Sequence, residues 1–465
     1  MRTHETLLTG WGRTAPSRAT VADVGRAEIV APAALDRLDT SGRGVIARGL
    51  GRSYGDPAQN GGGTVLRLAL GEDDSCDPIR VDPIRIDVAR GTATVAAGVD
   101  FDRLLRHLVP RGWFVPVTPG TRFITVGGAV ASDIHGKNHH ADGSFGSHVE
   151  CVTMLLADGS QVEVSPSSDP DLWRATLGGM GLTGIVLDAT FQLIPIETSR
   201  CLVETERVRD LEALVEKMEH GDDDYRYSVA WIDLLATGAG LGRSVLTRAE
   251  HATLDDLDAH LRRVPDDPLR FDPPTLPGVP PHVPNVLPRP AVRAFNEVWY
   301  RKAPRQHRGI EGITGFFHPL DMVDGWNRLY GRHGFLQYQF VVPFEAVDTL
   351  REIISRVSAA GHASFLAVLK RLGERSGGYL SFPMPGWTLT LDLPAGLPGL
   401  GVLLAELDSL VLGAGGRHYL AKDAHAAPET IRAGYPELER WQSVRSRVDP
   451  DGRWRSDQAR RLRLI

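Results

Sequence analysis

Residues 118–148 read TPGTRFITVGGAVASDIHGKNHHADGSFGSH and concentrate six glycines and four histidines in one segment. A second glycine-rich segment, ARGLGRSYGD at residues 47–56, precedes it by about 70 residues. Glycine allows the backbone to come close to a ligand, and successive N–H groups in such a loop form a nest around phosphate oxygens. The two segments therefore predict a site for a large anionic cofactor.

The composition is that of a globular protein of enzyme size. The 465 residues are enough for two or three domains. Lys and Arg total 52 against 58 Asp and Glu, so the formal charge is −6 and provides no overall positive field for nucleic acid. Hydrophobic residues make up 42% and charged residues 24%, which is enough to bury a core. An anionic ligand must therefore be bound by local groups.

Short strands and helices mix irregularly in the first 195 residues. Residues 84–99, IRIDVARGTATVAAGV, predict a β-hairpin that turns at an Arg-Gly pair. Residues 152–165, VTMLLADGSQVEVS, predict a second hairpin that turns at an Asp-Gly pair. An amphipathic helix is expected over FDRLLRHLVPRG, residues 101–112. Because no strict βαβ rhythm is present, the pattern favours an α+β fold over a doubly wound parallel sheet.

One GxGxxG pattern occurs, at residues 179–184. A dinucleotide-binding fingerprint needs a strand before it and a helix after it, so that the pyrophosphate meets the helix N-terminus. Here a predicted helix at residues 169–178 precedes the pattern, and a predicted strand at residues 185–193 follows it. A conventional Rossmann site is therefore disfavoured.

His139, His140 and His148 raise the alternative of a metal site. Adjacent histidines rarely bind one ion together and no HExxH spacing is present, so surface or cofactor-lining histidines are favoured and no metal is expected. The cysteines are far apart and form no CxxC, which disfavours a disulfide framework: Cys76, Cys151 and Cys201.

The character of the sequence changes after Pro195 to longer strands and helices, and it returns to Gly-rich turns after about Ala414. We therefore expect a domain boundary between residues 195 and 200. Between Pro265 and Pro290 ten of 26 residues are proline, which excludes a continuous helix or a central strand. That segment is either a passive linker or a mobile lid over a binding site.

The N-terminal sequence MRTHETLLTGWGRTAPSRA contains no apolar region of signal-peptide length, and nowhere do 18 apolar residues follow one another. Neither secretion nor a membrane-spanning helix is indicated.

The two loops, RGLGRSYGD and PGTRFITVGGAVASDIHGKNHH, resemble the FAD-binding domain of the vanillyl-alcohol oxidase superfamily. Within that superfamily the chain is most similar to the decaprenylphosphoryl-β-D-ribose oxidases, and the similarity runs nearly end to end. It also includes LTGWGRTAPS, FHPLDM, FLQYQFVVP, SFPMPGW and SDQARRL. The resemblance implies a two-domain α+β fold, with an FAD-binding domain at 1–197 completed by 413–465. It also implies an inserted substrate domain at 198–412, built on an antiparallel sheet.

The resemblance implies FAD as the cofactor. Arg52 stands where members that bind flavin covalently carry a histidine, so noncovalent FAD is expected, held by loop amides and by local positive charge. The implied cofactor contacts are Gly49, Leu50, Gly51, Arg52, Ser53, Tyr54, Gly55, Gly120, Thr121, Thr125, Gly127, Gly128, Ser132, His135, Gly136, Asn138, Ile185 and Tyr419.

The resemblance further implies Lys422 and His135 as catalytic residues. The implied substrate-binding residues are Trp231, Phe317, Gln337, Tyr338, Gln339, Lys370, Thr388, Thr390 and Lys137. Taken alone, a lysine in a strand is more often a solvated edge residue, and a tryptophan such as Trp231 is more often part of the core. Four positions depart from the family pattern: Val229, Phe317, Thr388 and Thr390. The loss of a phenol and of an amide at these positions removes hydrogen-bonding groups from the sugar end of the pocket.

The implied reaction is oxidation of the 2′-hydroxyl of a polyprenylphosphoryl-β-D-ribose to the 2′-keto sugar. This is the first half of an epimerisation to the arabinose donor of cell-wall arabinan, and an NAD(P)H-dependent ketoreductase would complete it. Two alternatives stay open: a paralogue that oxidises another sugar, glycoside or secondary alcohol, and a flavoprotein subunit without turnover. A lipid-linked substrate also implies peripheral membrane contact, on the cell-envelope side by resemblance and otherwise in the cytoplasm. The expected contact regions are residues 265–290 and residues 445–465. The second region contains seven Arg and three Asp, a net charge of +4.

Overall fold

The computed structural model describes residues 2–31, 33–39, 41–68, 82–261, 264–281, 288–361, 364 and 366–465. Cys76 and residues 282–287 of the proline-rich segment lie outside the described residues. No helix within the described ranges is both long enough and apolar enough to cross a membrane.

The strands are named in chain order. They are β1 (Arg2–Leu8), β2 (Ser17–Val24), β3 (Val45–Ala47), β4 (Thr64–Leu68), β5 (Ile84–Asp87), β6 (Thr92–Ala96), β7 (Trp113–Phe114), β8 (Val149–Leu155), β9 (Gln161–Val164), β10 (Ile185–Gln192), β11 (Ile194–Pro195), β12 (Arg200–Val208), β13 (Tyr227–Ile232), β14 (Ser244–His251), β15 (Gln306–Gly312), β16 (Phe335–Val342), β17 (Ala367–Leu372), β18 (Gly386–Pro394) and β19 (Arg417–His418).

The α-helices are α1 (Arg26–Ile29), α2 (Ala34–Leu38), α3 (Phe101–Leu108), α4 (Val126–Ser132), α5 (His139–Asp142), α6 (Pro170–Thr176), α7 (Leu211–Gly221), α8 (Leu254–Leu261), α9 (Arg289–Lys302), α10 (Ile313–Phe317), α11 (Val347–Ala360), α12 (Leu400–Gly413), α13 (Pro428–Gly434), α14 (Leu438–Val448) and α15 (Asp457–Arg461).

Three larger sheets organise the described residues. A four-stranded sheet has the order β1-β2-β4-β3, with β4 parallel to both β2 and β3. A five-stranded antiparallel sheet has the order β5-β6-β10-β8-β9. An eight-stranded antiparallel sheet, β15-β12-β14-β13-β17-β18-β16-β19, uses residues from 200 to 418. This mixture confirms the predicted α+β class.

Both predicted hairpins are present. β5 pairs with β6, and Gly91 at their turn has a φ of +64°. β8 pairs with β9, and Gly159 at that turn has a φ of +85°. Both angles lie in the left-handed region that glycine enters without a Cβ penalty, which explains the residue type at each turn. The GxGxxG pattern lies between α6 and β10, so its flanks are a helix and then a strand, as expected.

The eight-stranded sheet has two different faces. One face packs on α7, α11 and α12, whose buried leucines, isoleucines and valines form a single apolar cluster with alternate strand residues. The other face carries the polar side chains of the strands. Because successive strand residues point to opposite faces, every second residue of β13, β16, β17 and β18 is directed away from the helices.

The C-terminal segment folds back onto the first sheet. Trp454 bridges to Val45, and Arg461 forms ion pairs with Asp56 at 2.7 Å and Asp423 at 2.8 Å. β19, which precedes this segment, adds an edge strand to the eight-stranded sheet. That strand lies beyond the limit of 412 expected for the substrate domain.

The two expected membrane-contact regions are engaged within the protein itself. In residues 445–465 five of the seven arginines pair with carboxylates of the chain: Arg445 with Asp449, Arg447 with Asp169, Arg453 with Asp36, Arg460 with Asp457 and Arg461 with Asp56. In the proline-rich segment, Leu269 and Phe271 pack against the core. Backbone hydrogen bonds join Leu276 to Met322 and Val279 to Asp324. These contacts place residues 269–279 against the rest of the protein, and the mobility of the segment stays a prediction.

Candidate active site

A cavity of about 1020 Å³ lies between the glycine-rich loops and the polar face of the eight-stranded sheet. Its volume is at the upper end of the roughly 300–1,000 Å³ usual for small-molecule sites, so it accommodates a large ligand. Most of the predicted site residues line it: Gly49, Leu50, Gly51, Arg52, Ser53, Tyr54, Gly120, Thr121, Thr125, Gly127, Gly128, Ser132, His135, Gly136, Lys137, Trp231, Phe317, Gln337, Gln339, Lys370, Thr390, Tyr419 and Lys422.

The two glycine-rich loops pack directly on each other. A Cβ at Gly49 of the first loop would lie 2.3 Å from Thr125 Oγ1 of the second, and within the second loop a Cβ at Gly136 would lie 2.8 Å from the carbonyl oxygen of Thr118. Gly120, in contrast, has open space beside it. Since glycine removes side-chain bulk from the loops, the backbone itself forms this wall of the cavity, as a phosphate-bearing cofactor requires.

Arg52 supplies positive charge at this wall. Its guanidinium carbon lies 3.9 Å from the centroid of the Trp11 ring and 5.3 Å from that of Phe123, so the group is held in place by two aromatic rings. Its Nε is buried and has no hydrogen-bond partner among the described residues. A buried, unsatisfied donor beside a glycine-lined wall fits the pyrophosphate of the expected flavin cofactor.

His135 is at the centre of a hydrogen-bonded group. Its Nε2 lies 2.9 Å from Gln339 Nε2, and its Nδ1 lies 3.1 Å from Lys370 Nζ. Tyr419 stacks on Phe382 beside the imidazole and donates from its hydroxyl to the Ser132 carbonyl. Burial, and then the charge of Lys370, hold the pKa of His135 well below its usual value. The ring is therefore neutral at physiological pH.

Three lysines border the same cavity: Lys370 is buried, and Lys137 and Lys422 are half-buried. Burial lowers the pKa of Lys422 to about 8, that of Lys137 to about 8 and that of Lys370 to about 7, the last with a further contribution from the other two lysines. Lys422 Nζ lies 4.1 Å from the centroid of the Tyr54 ring, and Lys137 donates to the Phe316 carbonyl oxygen at 2.5 Å. The cluster provides an anion-binding site, and it also provides amines that change charge near neutral pH.

Asp392 is the nearby acid that sequence reasoning missed. It lies on β18, opposite Gln337 of β16, and accepts a hydrogen bond from Gln337 Nε2 at 2.6 Å. Tyr330 donates to its other oxygen at 3.2 Å. Burial raises the pKa of Asp392 to about 7, while its charge acts to raise that of Lys422. One signal was available, since Asp392 follows Thr390 by two residues and so lies on the same face of the strand.

Asp321 is a second residue that the sequence analysis passed over, although it lies in the FHPLDM motif. Its carboxylate accepts from Thr121 Oγ1 and from the Arg122 amide, both at 2.7 Å. It thereby fixes the second glycine-rich loop against the segment that follows α10. Met180, Gly181 and Gly184 of the GxGxxG pattern also line the cavity, outside the context of a Rossmann fold.

Five predicted site residues do not line the cavity: Gly55, Asn138, Ile185, Tyr338 and Thr388. Tyr338 alternates with Gln337 and Gln339, and its hydroxyl donates to Asp408 on α12, so it faces the helices. Thr388 lies behind Gln339, from which it accepts at 3.2 Å.

The other three are held in the surrounding structure. Asn138 donates to the Pro116 carbonyl, Ile185 belongs to an apolar cluster, and Gly55 packs against Asp423. Among the described residues no three His, Cys, Asp or Glu side chains are grouped so that they could hold a metal ion.

Comparison with known proteins agrees with this geometry. The chain is 44% identical to the decaprenylphosphoryl-β-D-ribose oxidase of Mycolicibacterium smegmatis over 98% of its own length and 97% of that protein's. The chain belongs to the decaprenylphosphoryl-β-D-ribose oxidase family. It is also 42% identical to an uncharacterised protein of Streptomyces coelicolor, over 79% of this chain and all of that one. Rat Δ24-sterol reductase is 30% identical over 30% of this chain and 27% of that protein.

Two family models match parts of the chain. The FAD-binding domain model covers residues 30–165, which include both glycine-rich loops. The D-arabinono-1,4-lactone oxidase model covers residues 402–462, the segment that carries Tyr419 and Lys422. The protein is therefore an FAD-dependent oxidoreductase.

Proposed function

We propose that this chain oxidises the 2′-hydroxyl of a polyprenylphosphoryl-β-D-ribose to the 2′-keto sugar. The observation that carries the proposal is one cavity that is lined both by a glycine-rich cofactor wall and by three lysines with lowered pKa values. A sugar phosphate needs positive charge at its phosphate and hydrogen-bonding groups at its hydroxyls, and this cavity offers both. The name of the M. smegmatis relative supports the choice of sugar and lipid.

We assign the cofactor to residues 1–197 with 413–465, and the substrate to residues 198–412. FAD would lie along Gly49–Gly55 and Gly120–Gly136, held noncovalently, with the Arg52 guanidinium at its pyrophosphate. When bound, FAD accepts the hydride that leaves C2′ of the sugar. The chain's own residues supply orientation, charge and the transfer of the proton.

Lys422 is the proposed base. A neutral amine accepts the hydroxyl proton as the C2′ hydride leaves, and a pKa of about 8 keeps part of Lys422 neutral near physiological pH. Lys137 and Lys370 would bind the phosphate. His135, held between Lys370 and Gln339, would orient the sugar.

The wall of the cavity nearest the expected sugar is partly apolar. Phe317 packs against Phe114, Tyr227 and Phe316, and Val229 lines the cavity without a polar group. Hydrogen bonding to the sugar would therefore rest on Gln337, Gln339 and the lysines. Because few polar groups surround the expected sugar, oxidation of a different sugar alcohol is a second candidate function.

The test is anaerobic mixing of the FAD-loaded protein with a short-chain polyprenylphosphoryl-β-D-ribose and, separately, with simple sugar alcohols. The proposal predicts loss of the flavin absorbance near 450 nm with the ribose lipid. Faster loss with another sugar alcohol would favour the second candidate. Lys422→Ala protein that binds FAD but loses absorbance at the wild-type rate would refute the assignment of the base.

The keto product implies a partner. We propose that a separate NAD(P)H-dependent ketoreductase returns hydride to C2′ with inverted configuration, because the GxGxxG segment of this chain lacks the strand-then-helix context of a nicotinamide site. We further propose that the protein works at the cell-envelope side of the membrane that holds its substrate. Protease accessibility in intact spheroplasts tests that location.

A further inference from the structure

Helix α9 carries an unusual set of exposed apolar side chains. Phe295, Val298 and Trp299 are 44%, 64% and 46% exposed, whereas Val292 and Asn296 are the buried residues of this helix. The rings of Phe295 and Trp299 stack with their centroids 5.9 Å apart and their planes 15° apart. Residues at these spacings share one side of a helix, so the apolar groups form one surface.

The same region is strongly basic. Residues 288–308 contain six Lys or Arg and one acid, Glu297, which is itself paired with Arg243 and Arg301. The basic residues are all exposed: Arg289, Arg293, Arg301, Lys302, Arg305 and Arg308. The last of them lies on β15, the edge strand of the eight-stranded sheet. Phe295, Val298 and Trp299 together with these basic residues are called the α9 patch below.

The α9 patch adjoins the opening of the cavity. Trp299, Lys302, Ala303, Pro304 and His307 line the cavity, so the surface of α9 continues into its wall. A substrate whose sugar phosphate occupies the lysine cluster would direct its apolar tail along this wall. Moving an apolar tail from a membrane through water is unfavourable, so the tail enters the cavity at low free-energy cost only if the membrane lies against the opening of the cavity.

We propose that the α9 patch is the surface by which this protein docks on an anionic lipid bilayer. The proposal rests on the proposed function, since the lipid tail makes such a docking necessary. Aromatic rings favour the headgroup level of a bilayer, and exposed Lys and Arg are attracted by anionic headgroups. The patch combines both features beside the cavity.

The test is co-sedimentation of the FAD-loaded full chain with vesicles of phosphatidylglycerol and phosphatidylcholine in equal parts, without substrate. Three variants are compared with the wild type: Arg293→Glu, the double variant Phe295→Ser with Val298→Ser, and Val402→Ser. Val402 is a matched control, because it is a 67% exposed valine on helix α12, outside the α9 patch. None of the substituted residues lines the cavity.

Binding of Arg293→Glu should be weaker by about tenfold or more, because two units of charge change near the surface, and binding of the double variant should fall similarly. Val402→Ser should bind as the wild type does, and raised salt should weaken wild-type binding. Equal binding by wild type and both α9 variants, or equal loss in the control, would overturn the proposal. If the wild type is a dimer that binds no vesicles, and both α9 variants are monomers, the α9 patch is an interface between two copies of the chain and the proposal is overturned.

Failure of the vesicle-binding test can be told apart from failure of the proposed reaction. Flavin reduction by a short-chain ribose lipid in solution does not require a vesicle, so all three variants should retain it. Retained reduction with unchanged vesicle binding would refute docking alone. Lost vesicle binding in the variants, with no reduction of the wild-type flavin by any ribose lipid, would refute the proposed function alone.

Discussion

Replacing Asp392 by Asn should move the pH profile of the reaction to lower pH. Burial lowers the pKa of Lys422 to about 8, and the charge of Asp392 opposes that lowering. Asn keeps an oxygen that accepts from Gln337 Nε2, while its amide nitrogen replaces the oxygen to which Tyr330 donates; Tyr330→Phe loses that second hydrogen bond but keeps the charge, so the two variants are compared. The pair of variants therefore separates an electrostatic role of Asp392 from a structural one.

The size of the effect follows from the fraction of Lys422 that is neutral. With a pKa of about 8, roughly a tenth of Lys422 is neutral at about pH 7, against roughly 0.03% for an unperturbed lysine, a gain of about 300-fold. A nearby opposite charge typically shifts a pKa by about one unit or more. Because the pKa of Asp392 is itself about 7, the comparison is made at about pH 8, where the carboxylate is mostly charged; removing it should raise the neutral fraction of Lys422 there from about half to about nine tenths.

The sign of the pH dependence is fixed by the role of the amine. A lysine base is active when neutral, so the rate of flavin reduction should rise about tenfold per pH unit below about pH 8 and level off above it. In Asp392→Asn the plateau should begin about one unit lower. The assay is anaerobic stopped-flow reduction between about pH 6 and pH 10, with Tyr330→Phe as a control that keeps the carboxylate. An unchanged profile in Asp392→Asn, or a profile that falls as pH rises, would refute this account of Lys422.

Three further predictions follow from the same structure. Acid precipitation should release all of the yellow chromophore, because the proposed FAD contacts are noncovalent, and a pellet that stays yellow would contradict this. Gly49→Ala should cost about 1–3 kcal/mol in the free energy of unfolding and reduce FAD content, because its Cβ would lie 2.3 Å from Thr125 Oγ1. Gly240 has open space beside it, so Gly240→Ala should leave the free energy of unfolding unchanged; urea titration measures both variants. Arg461→Ala should lower the free energy of unfolding by about 3 kcal/mol, because it leaves two carboxylates without their partner. Arg463→Ala is the control and should change that free energy little. Equal effects of the two substitutions would contradict the pairing.

The parts of the site that could be predicted are those encoded locally. The glycine-rich loops are recognisable because close backbone packing at Gly49 and Gly136 requires glycine in any such fold. Alternation along β16 predicts that Tyr338 points away from Gln337 and Gln339, whereas the LQYQF motif taken as a whole does not distinguish the three. Strand period and turn chemistry likewise located the two hairpins.

The parts that could not be predicted depend on long-range pairing. Asp392 matters because β18 and β16 pair in the register that places it opposite Gln337, and sequence alone does not give that register. The arginines of residues 445–465 look available for lipid in the sequence, yet Arg461 pairs with Asp56, about 400 positions earlier. Exposure of the apolar side of α9 depends on which side of the helix packs on the protein, and that is decided by tertiary contacts.

Oxidation of a polyprenylphosphoryl-β-D-ribose by this protein is followed most directly by anaerobic mixing of the FAD-loaded chain with that substrate. The flavin absorbance near 450 nm should disappear in a single observable phase, and one equivalent of keto sugar should form per flavin, because one hydride leaves each sugar. A spectral shift that persists without loss of absorbance would show binding without turnover, and it would contradict the proposed oxidation.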